Sequence, residues 1–191
     1  MNALSRNYRE ESFERLYNSC YCDITAYVIR RTKASDVGDV VAKVFAVAWR
    51  RFDRIPDPPD DRLWLFGVAR RCLSDHQRGD NRRLRLQARL ASERAVQTDA
   101  WNSVDADPRL ELVVSAMASL PPNDREALQL VLWEELTHAQ AATVLNCSVN
   151  AFEIRYRRAR NTVKDFVEKT SASYLTATPT NKRHSTRGAL Q

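Results

Sequence analysis

Glycine is scarce in this chain, with four in 191 residues. A phosphate-cradling glycine loop and the tight hairpins of a sheet protein both need more. Runs that alternate β-branched and polar residues are also few, so the chain reads as helical. Cysteine is equally sparse. Cys20, Cys22, Cys72 and Cys147 make one C-x-C without a second pair, and His76, His138 and His184 stand apart, so zinc-site spacing is missing. Buried or partly buried thiols are the expectation, with redox sensing through Cys20 and Cys22 a secondary one. Neither a metal nor a cofactor is expected. No apolar run approaches the length of a membrane span, and Met1 to Arg6 leads into charge, not into a signal-peptide core. A cytoplasmic protein without membrane insertion is therefore expected. Paired carboxylates and nucleophile constellations are missing too, which argues against an enzyme.

What the chain does have is positive charge and helical periodicity. A net charge of +6 favours a polyanionic partner, and 43% hydrophobic residues suffice for real cores. The most informative stretch is LTHAQAATVLNCSVNAFEIRYRRAR, from Leu136 to Arg160. Thr137 can N-cap a helix while Gln140 reaches back to close a capping box. Ala141, Ala142 and Leu145 then face inward, and Asn146 is suited to the left-handed stop. Ser148 N-caps a second helix in which Phe152 and Tyr156, four apart, face the first. An arginine-studded helix after a three-residue turn suits a DNA major groove as a helix-turn-helix, although an ordinary helical hairpin with a solvated basic face has the same pattern.

Upstream, the apolar spacing predicts a helix over 8–31, built on Phe13, Leu16, Tyr17, Cys20, Ile24, Tyr27 and Val28. Ser35 or Asp36 can cap another, in which Val37, Val40, Val41, Val44, Phe45, Ala48 and Trp49 form a buried stripe. Pro56, Pro58 and Pro59 break the chain into an acidic loop. A further helix is expected over 62–78, followed by a run of arginines read either as a solvated face or as a phosphate-binding surface. Residues 85–107 read as a linker that begins partly helical. Leu110 to Leu120 predicts a helix stopped by Pro121-Pro122, and the next has Asp124 and Glu126 near its positive end and Leu128, Val131, Leu132 and Leu136 inside. The Ser/Thr/Ala-rich tail over 170–191 is expected to be disordered.

Two separated stretches together resemble one family. FERLYNSCYCDITAYVIRRT, SDVGDVVAKVFAVAWRRFDRI and LWLFGVARRCLSDHQR resemble region two, and LPPNDREALQLVLWEELTHAQAATVLNCSVNAFEIRYRRAR resembles region four, of the extracytoplasmic-function (ECF, group IV) sigma factors of the sigma-70 family. The resemblance implies an all-α chain of two small helical domains, 8–84 and 108–169, joined by a flexible linker, the second domain containing the helix-turn-helix. Core RNA polymerase would be one partner, through its largest-subunit clamp helices and flap region. Promoter DNA would be the second and an anti-sigma factor the third.

By that resemblance Asp39, Val40, Lys43, Phe45 and Trp49 would meet the polymerase, with Lys43 standing where the family commonly has an acid. Arg54, Asp61, Trp64, Arg70, Arg71, Arg78 and Arg82 would meet the minus-ten element, where aromatic stacking and cations hold the separated strand. Ser148, Val149, Asn150, Ala151, Glu153, Arg155, Arg157, Arg158 and Arg160 would meet the minus-thirty-five element. Of these, Asn150, Glu153 and Arg157 are expected to read bases, and Arg155, Arg158 and Arg160 to hold phosphates. Two other readings of the residues stay open: a stand-alone helix-turn-helix regulator, and a helical adaptor for acidic proteins.

Overall fold

In a computed structural model the backbone of residues 3–90 and 108–177 is described, with side chains over 7–84 and 112–170. The expected linker from 91 onward and the expected tail from 178 onward lie outside these residues. Every regular element among the described residues is helical: α1 (Ala3–Ile29), α2 (Val37–Arg50), α3 (Asp60–Leu90), α4 (Pro108–Ser119), α5 (Pro122–Leu132), α6 (His138–Leu145) and α7 (Val149–Ala177).

Apolar spacing decides the first three. Leu16, Cys20, Ile24, Tyr27 and Val28 of α1 recur at three and four and are buried, because one stripe of a helix can face a core. α2 turns Val40, Val41, Val44, Phe45 and Ala48 inward against them. α3 closes the group with Phe66, whose ring lies 5.2 Å from that of Tyr27. The proline loop carries no helix, and α3 starts directly after it at Asp60, since proline removes donors and displaces its predecessor from helical backbone. α3 runs past Arg78 to Leu90, and α7 runs past Thr170 to Ala177. Both extensions are free of proline, and after Gly79, Asp80 and Asn81 the α3 extension consists of the helix formers Arg, Leu, Gln and Ala, so the helix propagates.

The start of α2 differs from expectation. Asp36 occupies the N-cap position but its side chain does not cap. A short 3-10 turn over Ala34–Asp36 has already given it near-helical backbone (φ −103°, ψ −9°), whereas a capping side chain works from extended backbone. Its carboxylate instead meets Ser35 at 2.8 Å and His76 of α3 at 3.0 Å.

Helices α4 to α7 form the second group. Met117, Leu120, Leu128 and Ala159 make a small cluster of their own. Ala127, Leu130, Leu136, Ala141, Ala142, Val144, Leu145 and Phe152 belong instead to the same buried cluster as α1, α2 and α3. The two groups are thus packed together. Leu132, expected inside, is 57% exposed; it is the last residue of α5, where the chain leaves the helix through Glu135 at φ 56°. Cys20 and Cys72 are buried, Cys147 is half-buried and Cys22 is exposed. Burial pushes the Cys20 and Cys72 thiols up, which disfavours the reactive thiolate. No helix of the described residues is long and apolar enough to cross a membrane.

Candidate nucleic-acid interface

The helix-turn-helix is fixed by local chemistry at each of its three corners. At the start, Thr137 Oγ1 accepts the Gln140 N–H at 3.3 Å while the Thr137 N–H donates to Gln140 Oε1 at 2.9 Å, so two orphan donors are satisfied reciprocally. At the turn, Asn146 sits at φ 53°, ψ 53°. Its N–H reaches the Thr143 carbonyl at 3.1 Å, and the Cys147 N–H reaches that of Ala142 at 3.0 Å, the paired bonds of a Schellman motif. At the second start, Ser148 Oγ accepts the Ala151 N–H at 3.2 Å. Phe152 is fully buried and Tyr156 partly so. The His138 ring, at the head of α6, lies 5.5 Å from the first and 4.9 Å from the second.

With 3.6 residues per turn, burial of Phe152 and Ala159 fixes which arc of α7 faces outward. Asn150, Ile154 and Arg157 lie nearest the centre of that arc and Glu153 lies towards one edge; all four are exposed. Val149 and Arg160 border it beyond Glu153, exposed as well, while Ala151 and Arg155 are half-buried on its other side. Ile154, outside the expected set, places an exposed β-branched side chain among the polar ones. The signal for it was in the sequence, since it falls out of phase with Phe152, Tyr156 and Ala159. His138 was also missed. Its Nδ1 lies 3.7 Å from Glu153 Oε1, so a residue of α6 borders the carboxylate expected to read a base.

Arg158 does not sit with the free cations. Its Nε and Nη2 donate to Asp124 Oδ2 and Oδ1 at 2.7 and 2.8 Å, and Asp124 of α5 is buried. Such a bidentate fork is a strong, directional contact. It engages Arg158 in tying α7 to α5 and away from the phosphate-holding set.

The expected polymerase-facing residues divide by burial. Asp39 and Lys43, one turn apart, are exposed, and Trp49 is 38% exposed further along. Val40 and Phe45 are core: Phe45 is buried with its ring 4.6 Å from Tyr17 and 6.1 Å from Tyr21. They cannot touch a partner in this conformation, and the stripe of α2 had already assigned them inward. Trp49 meets Phe13 edge-on at 5.0 Å with the Arg9 guanidinium over its ring.

On the expected minus-ten surface Arg54 and Arg71 are exposed. Arg78 is exposed and pairs with Asp75 at 2.8 Å, and Arg82 Nε reaches the Arg78 carbonyl at 3.3 Å. Asp61 accepts the Arg62 N–H at 2.7 Å, so its carboxylate serves the first turn of α3. Trp64 is half-buried against the core. Arg70 Nη2 donates to Asn123 Oδ1 of α5 at 3.1 Å. Among the described residues one group, Asp36, His76 and Asp80, could offer three ligand atoms to a cation; His76 Nε2 lies 3.0 and 3.4 Å from the two carboxylates, which satisfy it directly.

Residues 110–163 match the family model "Sigma-70, region 4". The chain is 34% identical over 138 residues to the RNA polymerase sigma factor CnrH of Cupriavidus metallidurans, covering 66% of this chain and 70% of that one. It is 27% identical over 157 residues to the ECF RNA polymerase sigma factor SigM of Bacillus subtilis, covering 80% and 93%. Its fold resembles that of the sigma factor RpoE in complex with the anti-sigma factor NepR from Bartonella quintana, with a TM-score of 0.63, 21% identity, and 83% of this chain and 98% of that one covered. CnrH in complex with the cytosolic domain of CnrY gives a TM-score of 0.59 at 24% identity, covering 84% and 90%.

Proposed function

The chain belongs to the extracytoplasmic-function sigma factors, and from that premise we propose that it binds core RNA polymerase, directs it to two-part promoters and helps to melt the minus-ten region. Residues 8–84 act as region two and 108–169 as region four. It works in the cytoplasm as a binding factor with no catalytic step of its own. α2 docks on the clamp helices of the largest subunit through Asp39, Lys43 and Trp49, while Val40 and Phe45 hold that face in shape from behind. Region four also approaches the flap region. Because the likened structures of RpoE and CnrH are complexes with NepR and CnrY, an anti-sigma factor for this chain is part of the proposal.

On DNA, Arg54, Arg71, Arg78 and Arg82 hold the backbone of the separated minus-ten strand, and Trp64 supplies an aromatic edge beside them. Arg70 joins them once it leaves Asn123. In region four, Asn150, Glu153 and Arg157 read the minus-thirty-five element. Ile154 meets a thymine methyl, an apolar group that the major groove presents. Arg155 and Arg160 contact phosphates, Ser148, Val149 and Ala151 bring the helix N-terminus to the groove, and Arg158 positions the helix through Asp124.

The observation that carries this reading is the exposed arc of Asn150, Ile154 and Arg157, with Glu153 at its edge, on the side of α7 away from buried Phe152 and Ala159 and on a helix whose entry is capped. It is tested by selecting a randomised promoter library with core polymerase and this chain. Glu153→Lys is expected to change the preferred base at one upstream position by about 1–3 kcal/mol, the usual value of a bidentate base contact. An upstream consensus identical to wild type would remove Glu153 from base reading, and no initiation above that of core polymerase would remove the function.

A further inference from the structure

One side chain reaches the edge of the reading arc from outside α7. His138 is the first residue of α6, and the capping box of Thr137 and Gln140 fixes the backbone from which it projects. Its ring lies against those of Phe152 and Tyr156, tilted by 50° and 52°. At about 100° per residue, Tyr156 stands about 40° round α7 from Phe152, and Glu153 about 100° round on the same flank. The imidazole therefore lies along that flank between the packed rings and the carboxylate, with its Nδ1 3.7 Å from Glu153 Oε1.

For stability this pair counts little. The His138 and Glu153 side chains are 41% and 55% exposed, and water and salt screen such pairs. Two features give it another use. An ordinary surface pair must order two long side chains, whereas here the imidazole is already held by two rings and only the glutamate remains to be ordered. The glutamate also has a competing cation. Arg157 lies four residues further along α7, the spacing at which Glu and Arg meet on a helix surface, and that pairing would take both side chains from the groove at once. The ion pair described for Glu153 is with His138 instead, and Arg157 stays exposed. The separation exceeds hydrogen-bond length, so in the free chain Glu153 is steered, not clamped. The attraction grows as DNA displaces solvent and lowers the local dielectric.

We infer that His138 is a positioning residue for upstream promoter recognition: from α6 it holds Glu153 turned away from Arg157, with the second carboxylate oxygen left to accept from a base amino group such as cytosine N4. This rests on the promoter reading above. The base that Glu153 reads is thus set jointly by α6 and α7, and His138 itself touches neither base nor phosphate. An imidazole protonated at Nδ1 presents the required donor with or without a net charge.

Two substitutions separate the donor from the ring. His138→Phe keeps a ring against Phe152 and Tyr156 but removes the N–H. His138→Asn discards the ring but keeps an N–H near the place of Nδ1. Each is assayed as the full chain with core polymerase on a library randomised over the upstream promoter element, beside wild type and Glu153→Ala, and helical circular dichroism checks folding at this exposed position. His138→Phe should reduce the preference at the base pair that Glu153→Ala also alters by about five-fold, the upper range for an exposed pair, with other upstream positions unchanged. His138→Asn should restore most of that preference. Combined with Glu153→Ala, His138→Phe should change nothing further. A preference kept in His138→Phe and lost in His138→Asn would overturn the inference and leave the ring as packing. An equal effect of His138→Phe with and without the Glu153 carboxylate would overturn it too, by showing that His138 meets DNA directly. If Glu153→Ala alters the upstream preference and His138→Phe does not, the promoter reading stands and only the positioning role falls. If neither alters it, base reading by Glu153 falls and the positioning role with it.

Discussion

The two helix groups reach a fixed shape by different means. In α1 to α3 the largest fully buried side chains include Tyr27, Phe66, Ile24, Leu65, Val40 and Val44, so removal of apolar surface from water is the main stabilising term. In α4 to α7 many buried positions are alanines: Ala116, Ala127, Ala141, Ala142 and Ala159. Small residues bring helices close but contribute little apolar area. That group depends correspondingly more on directional chemistry: a capping box, a left-handed Asn146, a Ser148 cap and the Asp124–Arg158 fork. An apolar core tolerates many arrangements of similar volume. A recognition helix must present particular side chains at particular angles, and caps and forks specify angles.

The largest expected effect tests the first half of that contrast. Phe66→Ala should cost about 3–5 kcal/mol, since it removes a fully buried ring and leaves a cavity. Urea unfolding followed by circular dichroism measures it. A loss under ~1 kcal/mol would mean that the α1 to α3 core is not the principal source of stability. The converse change belongs to the second half. Ala142→Leu inserts volume at a position of α6 that is 2% exposed, and overpacking should cost about 1–3 kcal/mol. A neutral result would show slack between α6 and its neighbours and undo the close-approach argument.

Smaller again is the cap. Thr137→Ala removes one half of the capping box and should cost about 1 kcal/mol, with a matching loss of minus-thirty-five binding because α6 supports α7. Thr137→Ser should recover most of both. Full stability in Thr137→Ala would place the specification of the helix-turn-helix elsewhere, in the Asp124–Arg158 fork or the apolar contacts of Phe152.

The same contrast explains what the sequence disclosed. Thr137 with Gln140, Asn146, Ser148 and the Phe152/Tyr156 pair were legible because their partners lie within a few residues, where spacing alone decides who meets whom. Glu126, Glu134 and Asp124 were not. As a pattern, Asp124 and Glu126 look like acids favourably placed at the positive end of α5. In the fold they face Arg158 on α7 and Arg31 just past the end of α1, and only tertiary packing selects those partners. Val40 and Phe45 teach a different lesson. Periodicity placed them inside while the resemblance placed them at the polymerase, and burial agrees with periodicity.

The smallest predicted effect concerns Asp36, at the entry to α2. The His76 hydrogen bond, followed by that of Ser35, holds the Asp36 carboxyl below its ordinary value of 3.8. A carboxyl depressed in the folded state contributes stability that is present above its unfolded pKa and is lost as pH falls through its folded pKa. The wild type should therefore exceed Asp36→Asn in stability at neutral pH, and the difference should disappear as pH falls through that depressed value. Both side chains are about a quarter exposed, so the difference should stay within about 1 kcal/mol. Thermal unfolding of both proteins across that range measures it, and His76→Gln should shrink it by removing the main cause. Because this contact ties the start of α2 to α3, its loss should loosen the entry to α2 while leaving the Thr137 cap and the Asn146 turn untouched. A gap between wild type and Asp36→Asn that stays constant from neutral pH to pH 2 would show that the carboxylate acts there through packing alone, and that the α1 to α3 group has no ionic contribution at that corner.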